Sequence, residues 1–193
     1  MISDKEYRLT SISVVVFIVI SILIIVTFVG KAFAVAGALL WLNPANASVN
    51  PGDSIQIVIQ LDEISDVYGL EISLSFDPSV LEVIDADPGE EGVQIAEGSC
   101  PYPDFVQANT ADNSTGTLDY VISQLNPREP CNGGVVGTIE FQCVATGVSS
   151  DVTFTTSIIS DSDFFPIDHS TENSNIVCNS QSTEKIFLPL LMK

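Results

Sequence analysis

Basic residues are almost missing from this chain. Lys and Arg together number 6 against 25 Asp and Glu in 193 residues, a formal net charge of −19. Three of the six bases (Lys5, Arg8, Lys31) lie near the start. From Val35 onward Arg128, Lys185 and Lys193 face 23 acids, a formal net charge of −20. Such a surface repels phosphate backbones, which excludes nucleic-acid binding. Histidine occurs once, at His169, and the four cysteines have no Cys-x-x-Cys spacing, so no transition-metal site is expected. Catalysis lacks a constellation too. A Ser-His-Asp set would have to use His169, which sits in a polar Asp-His-Ser-Thr run with no nucleophile elbow. The abundant acids offer chance carboxylate pairs without a signature, so the chain is not expected to be an enzyme. Tryptophan occurs once, at Trp41, with Tyr102 and Phe105 as the other candidates for stacking on a sugar. No Asp-x-Asn-x-Asp-Gly calcium loop is complete.

What is abundant is apolar and strictly patterned. Residues 12–29 form a nearly unbroken apolar run, interrupted by Ser13, Ser21 and Thr27 and preceded by Lys5 and Arg8. Ala-x-Ala can be read ending at Ala34 or Ala36. Residues 1–36 are therefore expected to be a cleaved signal peptide or an uncleaved N-terminal anchor, a single hydrophobic helix in either case. Both readings put the rest of the chain outside the cell, secreted or held at the surface. High net charge alone would suggest disorder, but the Ile, Val, Leu and Phe content in alternating runs argues for a folded domain.

From residue 37 to about 180 the period is two. Leu39–Val49 reads as a first strand with an irregularity at Pro44, suited to an edge or to a strand that switches sheets. After the turn Asn50-Pro51-Gly52-Asp53, Ile55, Ile57, Ile59 and Leu61 alternate with polar residues. Tyr68, Leu70, Ile72, Leu74 and Phe76 alternate with Gly69, Glu71, Ser73, Ser75 and Asp77, and Asp77-Pro78-Ser79 breaks the run. Val80–Asp85 resumes it. Phe105–Thr110 and Thr117–Leu125 pair around Asp112–Gly116, with Leu118, Tyr120 and Ile122 inward. In Val135–Ala145, Gly137, Ile139, Phe141 and Cys143 share a face. In Asp151–Ile159, Val152, Phe154, Thr156 and Ile158 are expected inward, and a polar stretch precedes a short last strand near Ile176. About nine short strands without a helix predict an all-β, two-sheet β-sandwich, jelly-roll or immunoglobulin-like. Residues 181–193 form a C-terminal tail whose last part, Ile186–Lys193, is apolar and too short to span a membrane.

The order of these motifs resembles the cohesin family, a jelly-roll sandwich related to bacterial carbohydrate-binding modules. The resemblance rests on the turn Val49-Asn50-Pro51-Gly52-Asp53, on Val67–Val83 with its Gly-Leu-Glu-Ile-Ser-Leu-Ser-Phe-Asp-Pro core, and on Val135–Phe141. It covers residues 38–180. It implies a non-catalytic module that recruits dockerin-bearing proteins, such as polysaccharide-degrading enzymes, through the outside of the sheet holding the family's strands eight, three, six and five. Carried over by position, that face would present Glu71, Ser73 and Ser75; Thr117, Asp119, Val121 and Ser123; and Thr153, Thr155 and Ser157. Two alternatives stand beside it: a carbohydrate-binding module of the same superfamily, taking a glycan, and a structural surface or adhesion domain.

Four cysteines allow three full pairings. Cys100 and Cys131 both lie in long loops flanking the 105–125 strand pair, which favours a bond between them. Cys143 would then pair with Cys178. In the family topology their strands are not neighbours in one sheet, so this second bond is doubtful; otherwise both are small buried residues. No cofactor is expected. Calcium is the one metal with candidate ligands, Asp161, Asp163 and Asp168, or Asp85 and Asp87 with Glu90, in loops that read equally as solvated turns. Two glycosylation sequons occur, at Asn46 and Asn113.

Overall fold

The computed structural model describes residues 37–90 and 93–180. The expectations for the N-terminal helix and for the tail at 181–193 lie outside the described residues, and among those described there is no helix.

Twelve strands are formed: β1 (Ala38–Asn43), β2 (Asn46–Val49), β3 (Ser54–Asp62), β4 (Gly69–Ser75), β5 (Leu81–Ile84), β6 (Ala96–Glu97), β7 (Phe105–Asp112), β8 (Thr117–Ser123), β9 (Gly134–Cys143), β10 (Val148–Ser160), β11 (His169–Glu172) and β12 (Ser174–Cys178). One sheet runs β11-β1-β3-β9-β5, with β6 also on β9; the other runs β2-β12-β10-β4-β8-β7. The β1–β11 and β2–β12 pairs are parallel and the remaining pairs antiparallel. The expected first strand is thus two strands in two sheets, divided at Pro44, whose ring supplies no ladder donor. β11 was not foreseen, because His-Ser-Thr-Glu carries no apolar alternation; it pairs with β1 through the backbone ladder, and the Ser170 hydroxyl adds a 3.4 Å bond to the Ala38 carbonyl.

Turn chemistry sets the registers. Gly52 has φ 86° and the Asp53 amide donates to the Asn50 carbonyl at 3.0 Å, so Pro51 and Gly52 occupy the central positions of a type II turn. At the β7–β8 hairpin the Gly116 amide reaches the Asp112 carbonyl at 2.8 Å with Gly116 at φ 71°. A Cβ on Gly116 would lie 2.1 Å from the Phe76 carbonyl oxygen, so only glycine fits there.

The inner faces make one core. Leu40, Leu42, Ile57, Ile59, Leu61, Ile139 and Phe141 come from one sheet; Leu70, Ile72, Leu74, Leu118, Tyr120, Ile122 and Ile176 come from the other. Each such side chain contributes about 1.5–3 kcal/mol on leaving water. Phe76 and Phe141 meet edge to face across the sandwich, centroids 5.3 Å apart.

Both disulfides are formed, Cys100–Cys131 and Cys143–Cys178, with Cα atoms 5.5 and 5.7 Å apart. The doubt over Cys143–Cys178 is corrected by the layering. Cys143 ends β9 in one sheet and Cys178 ends β12 in the other, so they meet through the interior and need not be lateral neighbours. Cys100–Cys131 fastens the loop before β7 to the loop before β9.

One strand departs from its expected phase. Opposite β4, Phe154 stands against Leu74 but Thr156 against Ser73, leaving Thr155 as a β-bulge. Before the bulge Val152 points inward as expected. Beyond it the inward residue is Ile159, fully buried, while Ile158 is 47% exposed. The expectation that Thr156 and Ile158 face the core is therefore corrected: one extra residue inverts every later side chain.

Candidate functional site

The outer face of β10, β4, β8 and β7 is a flat grid of side chains fixed by the strand registers. Nearest the β7–β8 turn, Thr153, Ser75, Thr117 and Asp112 stand in a row. The next row is Thr156, Ser73, Asp119 and Thr110, and the next Ile158, Glu71, Val121 and Ala108. Ser160, Gly69, Ser123 and Phe105 complete it at the opposite end. These strands show outward polar residues because their inward partners fill the core; alternation dictates both.

Hydrogen bonds hold part of this grid in place. The Ser73 hydroxyl donates to Asp119 at 2.6 Å, and the Thr155 hydroxyl donates from the bulge to the Ser73 carbonyl at 3.1 Å. Asp112 accepts from the Ser114 hydroxyl at 2.5 Å, the Ser114 amide at 2.7 Å and the Thr115 amide at 3.2 Å. These donors, the Ser114 hydroxyl foremost, lower its carboxyl to about 2. Asp112 is thereby a fixed anion at the corner of the face.

Nine of the ten positions carried over by resemblance lie together on this surface: Glu71, Ser73, Ser75, Thr117, Asp119, Val121, Ser123, Thr153 and, in the bulge, Thr155. Ser157 does not. It stands opposite the buried Ile72, on the inner side, and its hydroxyl lies 3.0 Å from His169 Nε2. The bulge is the cause, and it substitutes Thr156 and Ile158 on the outer face. The adjacent Ile158-Ile159 pair was the available signal, since two neighbouring residues of an unbroken strand cannot both face one core. Thr110, Ala108 and Phe105 of β7 were also missed, because that strand has no clean alternation; its own bulge falls between Val106 and Ala108.

His169 Nδ1 lies 2.9 Å from the Ile167 carbonyl. A carbonyl only accepts, so Nδ1 is the donor there, and Nε2 meets the Ser157 hydroxyl. The contact ties β11 to β10. The candidate calcium loops are turns held by their own carboxylates. Asp161 accepts the amides of Asp163 and Phe165 at 3.0 and 2.8 Å, Asp85 accepts that of Asp87 at 2.9 Å, and Asp87 that of Gly89 at 3.0 Å. Among the described residues no three His, Cys, Asp or Glu side chains converge on a point where a metal would sit.

At the loop end, Arg128 makes paired bonds of 2.7 and 2.8 Å to Asp104 and lies 3.9 Å above the Tyr102 ring. The Arg128 guanidinium lowers the Asp104 carboxyl, with help from the Leu125 amide. Tyr120 is fully buried and its hydroxyl has no partner among the described residues; burial raises its phenol, which stays neutral.

Comparison with solved structures finds the same sandwich repeatedly. A non-cellulosomal cohesin from the archaeon Archaeoglobus fulgidus matches with a TM-score of 0.59 and 19% identity, over 76% of this chain and 94% of its own. The sixth cohesin of Acetivibrio cellulolyticus scaffoldin B, solved with a Cel5 dockerin mutant, matches at 0.56 and 20%, over 74% and 99%. The OlpA cohesin of Clostridium thermocellum, solved with the dockerin Doc918, matches at 0.58 and 13%, over 74% and 99%. At these identities the likeness establishes the fold. No curated protein matches the sequence. The family model for the cohesin domain matches residues 42–177. On that match, the chain belongs to the cohesin family, whose members are non-catalytic modules that bind dockerins.

Proposed function

We propose that this protein is an extracytoplasmic receptor that recruits dockerin-bearing proteins, polysaccharide-degrading enzymes among them, through the outer face of β10, β4, β8 and β7. The observation that carries this reading is the cohesin match over residues 42–177, whose segment Val67–Val83 contains β4 (Gly69–Ser75), between β10 and β8 in a hydroxyl-rich face. A flat sheet of hydroxyls and carboxylates suits a rigid helical partner, which can lie across several strands without either side rearranging. Export is supported by the apolar lead with its Ala-x-Ala sites and by two disulfides, which persist in oxidising surroundings.

The test is capture of purified dockerin modules on the immobilised chain, with and without calcium, since the dockerin fold depends on that ion. Calcium-dependent capture supports the reading. Retention of the chain on polysaccharide with no dockerin bound supports a glycan-binding module instead, for which the 45% exposed Tyr102 and 52% exposed Phe105 are the stacking candidates.

A further inference from the structure

One row of the face is unlike its neighbours. The two rows toward the β7–β8 turn contain only hydroxyl and carboxylate side chains. The next carries Ile158, Glu71, Val121 and Ala108, and Phe105 projects beside it. Ile158 is 47% and Phe105 52% exposed. A threonine at either place would satisfy an exposed strand without presenting that much hydrocarbon to water. In their midst Glu71 is exposed and has no side-chain partner among the described residues. Gly69 adds no side chain of its own beside it, and the Ser160 hydroxyl covers that place: a Cβ on Gly69 would sit 2.6 Å from it. The Thr155 bulge alone brings Ile158 to this surface, because in an unbroken strand Ser157 would occupy it.

We propose that Ile158, Glu71, Val121 and Phe105 form the anchor of the interface, and that they take a partner helix with a Lys or Arg set between apolar residues one turn away on either side. The inference rests on the receptor reading above and names the chemistry of its partner. Two physical arguments carry it. Strands are spaced about 4.8 Å apart and successive helix turns 5.4 Å. A helix lying across the strands therefore places residue i over Ile158, i+3 or i+4 over Glu71, and i+7 over Val121 and the β7 side. Covering the apolar residues also strips water from the Glu71 carboxylate, which is costly unless a cation replaces it. Arg128 is the only Lys or Arg among the described residues, and it is held by Asp104, so no described side chain supplies that cation and it is assigned to the partner.

The test titrates the full chain, kept in mild detergent, against calcium-loaded dockerin modules. The probes are dockerins from proteins of the same source, together with the Acetivibrio cellulolyticus Cel5 and Clostridium thermocellum Doc918 dockerins. For a dockerin that binds, Ile158→Ala and Glu71→Arg are each expected to weaken binding about 30-fold or more. Replacing the facing Lys or Arg of the dockerin by Glu restores binding to Glu71→Arg. Val144→Ala, which trims a 48% exposed residue at the other end of the sandwich, leaves binding within about twofold. A dockerin that binds wild type, Ile158→Ala and Glu71→Arg alike overturns this anchor and leaves the receptor reading intact. If no dockerin binds a wild-type chain that melts cooperatively, both are overturned.

Discussion

Asn109 and Asn113 each do with a side chain what a neighbouring strand does with its backbone. Asn109 accepts from the Gln94 and Ile95 amides at 3.0 and 2.8 Å and donates to the Ile95 carbonyl at 2.9 Å. Asn113 does the same for the amide and carbonyl of Val83, at 2.8 and 3.0 Å. Asn109 is buried, so its removal strands backbone groups where water cannot reach them. Asn109→Ala should therefore lower unfolding stability by about 2–3 kcal/mol in a urea titration; a loss below 0.5 kcal/mol would contradict the clamp. The same engagement occupies the amide of the Asn113 sequon, whereas Asn46 on the edge strand β2 stays exposed. Asp112 makes a different residue-scale prediction. Its folded carboxyl titrates near 2, below the ordinary unfolded value of about 3.9. Its bonds thus stabilise the fold above about pH 4, and that contribution disappears as pH falls through about 2. Asp77, lowered by the Ser79 hydroxyl and amide, acts with the same sign. Melting temperature should fall across that window, and Asp112→Asn should flatten the decline. An unchanged acid limb in this variant would remove Asp112 from the account.

At the scale of elements, turn chemistry and strict alternation were readable and phase changes were not. β3, β4 and β8 follow the polar–apolar pattern along their lengths, and β9 does so from Gly137 onward, after a bulge at Val136, because each has one face in the core and one in water. The turns at Pro51-Gly52 and Gly116 follow from residues that alone tolerate those backbone angles. β10 was readable only as far as Phe154: a bulge is an insertion of one residue, and composition does not mark where it falls. This moved Ser157 off the candidate face and put Ile158 on it. The 143–178 bond was doubted for a related reason, since adjacency within a sheet was weighed and adjacency through the core was not. That bond joins the two sheets at 35 residues' separation. Replacing Cys143 and Cys178 together by Ala should cost about 2–4 kcal/mol. Peptide mapping without reductant should recover both cross-links, and recovery of a 100–143 or 131–178 peptide would contradict the assigned pairing.

At the scale of the molecule, the described residues form a sandwich of two sheets in a strongly acidic chain. One runs β11-β1-β3-β9-β5 with β6 also on β9; in the other, β10, β4, β8 and β7 carry the candidate face. Its formal charge of −19 favours partners bearing Lys and Arg and accelerates their approach at low salt. Family membership explains why such a face exists, but the side chains on it decide what it holds. The direct measurement is hydrogen–deuterium exchange of the full chain, free and saturated with a bound dockerin. The account predicts added protection in Gly69–Ser75, Thr117–Ser123 and Thr153–Ser160 and none in Ser54–Asp62. Protection confined to Ser54–Asp62 and Gly134–Cys143, with β4 and β8 unchanged, would contradict it.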